Sequence, residues 1–253
     1  MEIILLFILG ILLGSFANVC IYRIPKDESI IRPASHCISC NAPIKWYDNI
    51  PILSFIFLKG KCRACGASIS LQYPLVELIT GLLFAVMAFE FHDDKIFVFY
   101  LIFTLILAII SFIDFFHKVI PDLLIYLLAL SGLLASFFNN DLSSPFHARP
   151  LNALLGALVG FFSLYLIGFI GDKILKQETM GGGDIKLLAA IGMYLGWSKT
   201  LTTLFIAAIL GSIFGMEMIA SGKLRKREYI PFGPFIAISA YINLFLPDPT
   251  DFL

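Results

Sequence analysis

Eight apolar runs, each close to the length of a bilayer crossing, take up most of this chain. They fall at about 3–22, 73–91, 96–114, 119–138, 151–171, 184–197, 199–220 and 229–247. A run of about 18 or more apolar residues reads as a transmembrane helix, because in hydrocarbon each segment must satisfy its own backbone N–H and C=O groups. Composition agrees. The chain is 59% hydrophobic and 14% charged, with a mean hydropathy of +0.91, whereas soluble domains average about 45–50% and about 25%. The run 184–197 is the shortest and carries Lys186, which fits a half-span beside a cavity. The expected fold is an all-α polytopic membrane protein of about eight transmembrane helices.

Charge sets the expected orientation. Fifteen of the eighteen Lys and Arg residues fall on one side of the eight-span pattern: seven within 23–72, then Lys118, Lys173, Lys176, Lys186, Lys223, Arg225, Lys226 and Arg227. Lys95, Arg149 and Lys199 fall on the other. The basic excess marks the cytoplasmic face, so both termini are expected outside it. The first run has no basic residue before it and carries Gly14, Ser15 and Asn18. It reads as a retained anchor, not a cleaved signal peptide.

The sizeable polar block is 23–72, rich in Pro, Cys, Gly and Lys/Arg. The chain therefore divides into a first span at 1–22, a cytoplasmic insert at 23–72 and a helical membrane core at 73–253. No internal repeat is evident. An insert that small has a marginal core and calls for a staple. Cys37-x-x-Cys40 and Cys62-x-x-Cys65, with 21 residues between the pairs, supply one. Four thiolates at this spacing close a tetrahedral zinc shell, which makes the ion structural. Two disulfides are the competing reading, disfavoured in a reducing cytosol. His36 reads as a surface or hydrogen-bonded residue, and Cys20 as a small buried apolar one.

Two acidic residues stand out against the apolar runs. Asp114 ends the third and Asp184 opens the sixth, after Met180-Gly-Gly-Gly. A carboxylate at such a position is costly unless it is paired, wet or functional. The span count places both near the cytoplasmic face. Two neighbouring carboxylates in a low-dielectric place tend to share a proton. One can then activate water while the other protonates a carbonyl oxygen or a leaving amine. Gly181, Gly182 and Gly183 would let an extended peptide backbone lie against the site. The competing reading makes each Asp a helix cap or a headgroup contact, and Asp122, after Pro121, fits that role. Zinc-protease His-Glu-x-x-His and nucleophile-elbow Gly-x-Ser-x-Gly patterns do not occur. The glycine run is not followed by a Walker-type Lys-Ser/Thr. The basic stretches are explained by topology and anionic lipid, with no separate signal for nucleic acid.

Several motifs, in order along nearly the whole chain, resemble one family. They are Gly14-Ser-Phe-Ala-Asn18-Val-Cys-Ile-Tyr-Arg23-Ile-Pro25, Arg32-Pro-x-Ser-His-Cys37-x-x-Cys40, Trp46-Tyr-Asp-Asn-Ile-Pro51 and Lys59-Gly-Lys-Cys62-Arg-x-Cys65. Asp114 with Ile120-Pro-Asp122 follows, and then Gly181-x-Gly183-Asp184-x-Lys186. Together they resemble the bacterial prepilin peptidases, or type IV leader peptidases, with the Gly-x-Gly-Asp motif of membrane aspartyl proteases. The resemblance implies an enzyme of the bacterial inner membrane. It would cut the basic leader from type IV prepilins and pseudopilins at the cytoplasmic face, after a glycine and usually before phenylalanine. Asp114 and Asp184 match the catalytic pair, and Lys186 falls in the motif beside the glycines. Members with four cysteines matching Cys37, Cys40, Cys62 and Cys65 also N-methylate the new terminus with S-adenosylmethionine. No residue is assigned to the methyl donor; Glu77 is open to a part in either activity or to structural pairing. A peptidase with a purely structural zinc domain is one alternative. A transporter or scaffold using the aspartates for protons or ions is another. Oligomeric state is not implied.

Overall fold

A computed structural model describes residues 1–91, 95–139, 142, 148–177, 179–222 and 230–249. Lys223, Arg225, Lys226 and Arg227 lie outside the described residues. Eight α-helices account for most of the remainder: α1 Glu2–Arg23, α2 Leu53–Phe57, α3 Gln72–Phe91, α4 Phe97–His117, α5 Asp122–Ser136, α6 Arg149–Leu175, α7 Gly182–Ala220 and α8 Gly233–Asn243. Among the described residues the only β pairings are two isolated bridges. The described residues are all-helical, and among them five helices are long and apolar enough to cross a membrane: α1, α3, α4, α6 and α7. Their outer faces carry large apolar side chains such as Leu158, Phe162, Tyr165 and Phe169 of α6, exposed as lipid-facing residues would be.

The apolar runs and the helices differ where backbone chemistry overrides hydropathy. The run 119–138 yields a helix of only 15 residues, because Lys118 ends α4 in the left-handed conformation and Pro121 caps α5. The runs 184–197 and 199–220 form one 39-residue element broken at Gly196, whose φ of 74° and ψ of 177° leave the helical region. That conformation is essentially restricted to glycine. The break falls where the two runs meet in the sequence.

The chain forms two compact units, Met1–Phe97 and Val98–Leu253. Contacts thus group α3 with α1 and the insert. In the first unit, α1 and α3 pack on small residues: a Cβ added at Gly10 would sit 2.8 Å from Gly81 Cα, and one at Gly14 would sit 2.7 Å from Glu77 Cα. Asn18 Nδ2 donates to Tyr73 O at 3.0 Å and ties the pair near the insert. In the second unit, Gly156 of α6 meets Gly192 of α7 so closely that a Cβ at either would come within 2.2 Å of the other's carbonyl oxygen. Small residues at four-residue spacing allow this backbone approach, which is the means of helix association where lipid offers no hydrophobic drive. The bulky Tyr194 ring stacks in a tilted arrangement on Phe103, with centroids 4.5 Å apart. On the α8 side, Asn243 Nδ2 donates to Thr203 Oγ1 at 3.0 Å.

Candidate active site and metal centre

Helix ends build the acidic site in the second unit. Asp114 lies in the last turn of α4, and its carbonyl accepts the Lys118 N–H at 2.8 Å as the helix closes. Asp184 lies in the first turn of α7, where Gly181 is the N-cap and its carbonyl accepts the Asp184 N–H at 3.1 Å. Both side chains line one cavity of about 470 Å³, together with Lys118, Ile120, Asp122, the three glycines and Lys186. The two carboxylates are 1% and 2% exposed, so the surrounding protein, not bulk water, sets their environment.

The two acids are held differently. Asp114 Oδ2 accepts the Gly233 N–H of α8 at 2.9 Å. Asp184 Oδ1 is buried with no hydrogen-bond partner among the described residues. A group of that kind is expensive unless water or a ligand meets it.

The glycine run has distinct parts. A Cβ at Gly182 would meet nothing within 4 Å, whereas one at Gly183 would sit 3.0 Å from Ile120 Cβ. Gly182 thus leaves one wall of the cavity open, while Gly183 admits the loop before α5. At the rim, Lys186 Nζ bonds both oxygens of Asp122, at 2.8 and 3.0 Å. Asp122 also occupies the first turn of α5, where a negative charge faces the positive helix end. No side chain caps α5, whose N-cap is Pro121, so the capping role anticipated for Asp122 gives way to a place in the first turn and an ion pair with Lys186.

The sequence does not mark Gly233 as a site residue, and Ile120 figures in it only within the Ile120-Pro-Asp122 motif. Neither carries a charge or a nucleophile, and the signal that marks Gly233, the Pro231-Phe-Gly-Pro234 turn ahead of an apolar run, gives no hint of its contact.

The candidate metal site belongs to the first unit. The Sγ atoms of Cys37, Cys40, Cys62 and Cys65 all lie within 4.8 Å of one another, and Cys37 Sγ is 3.9 Å from Cys65 Sγ. Tetrahedral zinc with thiolate bonds of about 2.3 Å requires sulfurs roughly 3.8 Å apart, so the set fits such an ion; all four cysteines are free thiols. Each pair sits in the same turn. Cys37 O accepts the Asn41 N–H and Cys37 N donates to Ala42 O, and Cys62 repeats this with Gly66 and Ala67. Asn41 and Gly66 take the left-handed conformation that closes each turn. The structure thus contains a short repeat that so little sequence identity conceals. The N–H groups of Cys40 and Ser39 at the Cys37 sulfur pull that thiol down to about 6, while Cys40, despite the Ala42 N–H at its sulfur, is pushed up to about 11 by the neighbouring thiols, so the four crowded sulfurs do not all ionise without a cation to share. His36 Nδ1 bonds Ala34 O at 3.0 Å, and the ring is outside the ligand set.

Side chains anchor this block. Arg63, between the second pair of cysteines, grips Asp48 with Nε at 2.8 Å and Nη2 at 2.6 Å. The guanidinium holds the Asp48 carboxyl below its usual range. Arg23 closes the end of α1 on Ser29 O and Pro33 O. Glu77 of α3 accepts the Ile52 N–H at 2.7 Å, where Ile52 has a φ of 61°. The Glu77 carboxylate therefore has a backbone partner within the insert.

Comparisons with known proteins agree in order and extent. Residues 8–91 match the bacterial peptidase A24 N-terminal domain, and residues 101–216 match the type IV leader peptidase family. A protein of Myxococcus xanthus described as a prepilin leader peptidase/N-methyltransferase is 39% identical over 88% of this chain and 65% of its own length. The chain thus spans just under two thirds of that relative. Proteins of the same description from Dichelobacter nodosus and Neisseria gonorrhoeae are 36% and 35% identical, over 92% and 93% of this chain and 88% and 87% of theirs. No solved structure matches.

Proposed function

Since the chain belongs to the type IV leader peptidase family, we propose that it removes the basic leader from type IV prepilins and pseudopilins and N-methylates the new terminus. The observation that carries the peptidase reading is the shared cavity: two buried carboxylates from different helix ends, beside an open glycine wall. In this mechanism Asp114 and Asp184 flank a water. One carboxylate takes its proton as the oxygen attacks the scissile carbonyl, and the other protonates the carbonyl oxygen. The resulting diol collapses as a proton passes to the leaving amine. Gly181, Gly182 and Gly183 accept the extended backbone. Lys186, paired with Asp122, holds the rim.

Zinc is the metal proposed for Cys37, Cys40, Cys62 and Cys65, in a structural role because the four thiolates leave no open position. S-adenosylmethionine would supply the methyl group. The insert 23–72 then serves methylation, while the core 73–253 houses cleavage. The proposed topology has about eight crossings in the bacterial inner membrane, with the insert and both aspartates at the cytoplasmic face, supported by the Lys/Arg asymmetry. That face suits a substrate whose basic leader is drawn to anionic headgroups and whose mature part is apolar.

The test is cleavage of a prepilin in lipid by the wild type, Asp114→Asn and Asp184→Asn. Each variant should lose about 10²-fold or more in rate, as expected for a removed general acid or base. Full cleavage by either folded variant would overturn the dyad.

A further inference from the structure

We infer that the N-terminus of α8 is a third component of the acidic site, with Gly233 acting as a positioning residue that fixes the Asp114 carboxylate. The inference rests on the dyad reading above and adds a segment 119 residues away from Asp114 in sequence.

Backbone accounting at the start of α8 carries the argument. The first turn of a helix has N–H groups without intrahelical partners. Here Pro234 has none to offer, and the Phe235 N–H bonds Phe232 O at 3.0 Å. That leaves Gly233, whose N–H points at Asp114 Oδ2 from 2.9 Å. Phe232 is the N-cap and makes no side-chain cap. Asp114, from another helix, therefore does the capping. The contact is doubly useful: a carboxylate satisfies a helix N-terminus well, and the carboxylate gains a fixed direction.

The residue type follows from space and not from backbone angle. Gly233 is absent from the positive-φ residues. A Cβ built on it would lie 2.7 Å from Asp114 Oδ2, 3.2 Å from Asp114 Cγ and 3.2 Å from Ile120 Cδ1. A side chain larger than hydrogen would therefore push the carboxylate out of this position. Ile120 also packs on Gly183, so one apolar side chain touches the glycine that precedes Asp184 and the glycine that holds Asp114. Gly233 does not itself need to reach substrate. It acts through Asp114, by keeping Oδ2 engaged and Oδ1 turned for water.

The experiment compares Gly233→Ala with Gly211→Ala in the full-length protein, using steady-state cleavage of a prepilin and thermal unfolding in the same detergent. Gly211 is a control from the α7–α8 contact, where a Cβ would meet Phe232 and Phe235 at an ordinary 3.4–3.5 Å. Gly233→Ala should lower kcat about tenfold to a hundredfold, the scale of a misplacement of about 1 Å, with KM within about twofold. Gly211→Ala should keep the wild-type kcat. A purely structural role is separated by the background Asp114→Ala. There the carboxylate is gone, and Gly233→Ala should no longer shift the unfolding temperature that it lowers in the wild type. If Gly233→Ala alone is too unstable to purify, the double variant must recover the yield. Wild-type kcat in Gly233→Ala, or the same unfolding shift in both backgrounds, would overturn the inference. Those results leave the dyad standing provided Asp114→Asn is inactive; cleavage by Asp114→Asn would sink the dyad and the inference together.

Discussion

Gly156→Ala should do far more damage than one methyl group suggests. The added Cβ would stand 2.2 Å from Gly192 O, 2.8 Å from Gly196 C and 2.9 Å from Gly192 C. All three are backbone atoms, so no side-chain rotation relieves the contact. An ordinary separation requires α6 and α7 to part by at least about 1 Å, and overpacking of this kind costs about 1–3 kcal/mol or more. α7 carries Asp184 two turns before Gly192, so parting the helices also displaces the carboxylate, at a scale that costs about 10²-fold in rate. The assay is paired: unfolding in a mixed-micelle denaturant titration, and prepilin cleavage per folded protein. Both should fall. Ser at position 156 should resemble Ala, and Leu should prevent folding. Wild-type stability in Gly156→Ala would show that the two helices do not meet on these glycines.

Gly182→Ala is the counterpart, since its Cβ would meet nothing within 4 Å; stability should stay within about 0.5 kcal/mol, the usual span for a harmless exposed change, while KM for prepilin rises. Cys62→Ser should lower the zinc content from one per chain, measured by metal analysis, and abolish methylation of a pre-cleaved pilin; a zinc-free, folded and methylating protein would refute the metal site. Lys186→Gln should alter unfolding by less than about 1 kcal/mol, because its ion pair with Asp122 is half-exposed and such pairs contribute little. Asp48→Asn should move acid-induced zinc release to higher pH: the Arg63 pair lowers the Asp48 pKa, so its support is present above the unfolded value near about 3.9 and is lost only as pH falls through the lower folded value.

The parts legible in the sequence were those that break a pattern. Asp114 and Asp184 stood out because carboxylates are costly in apolar runs, and the two Cys-x-x-Cys pairs because their spacing matches a tetrahedral ion. The meeting of runs 184–197 and 199–220 anticipated the break at Gly196, although hydropathy could not reveal a glycine-only backbone angle. Helix ends were poorly legible: the apolar run 119–138 gives no weight to the turn at Lys118 that delays α5 until Asp122. Gly233 was invisible for a deeper reason. Its contribution is a main-chain N–H that every residue but proline possesses, and only the approach of the start of α8 to the end of α4 shows which carboxylate receives it.

The contrast between the two acids has a consequence for how the site would work. Asp114 is tethered twice, its carbonyl to Lys118 and its side chain to Gly233. Asp184 is anchored through its main chain to Gly181 while one carboxylate oxygen goes unmatched among the described residues. The pair would then act as an anvil and a hammer. Adjustment to an incoming peptide would fall to the first turn of α7, where Gly182 leaves open space beside the chain, against a partner held by α4 and α8.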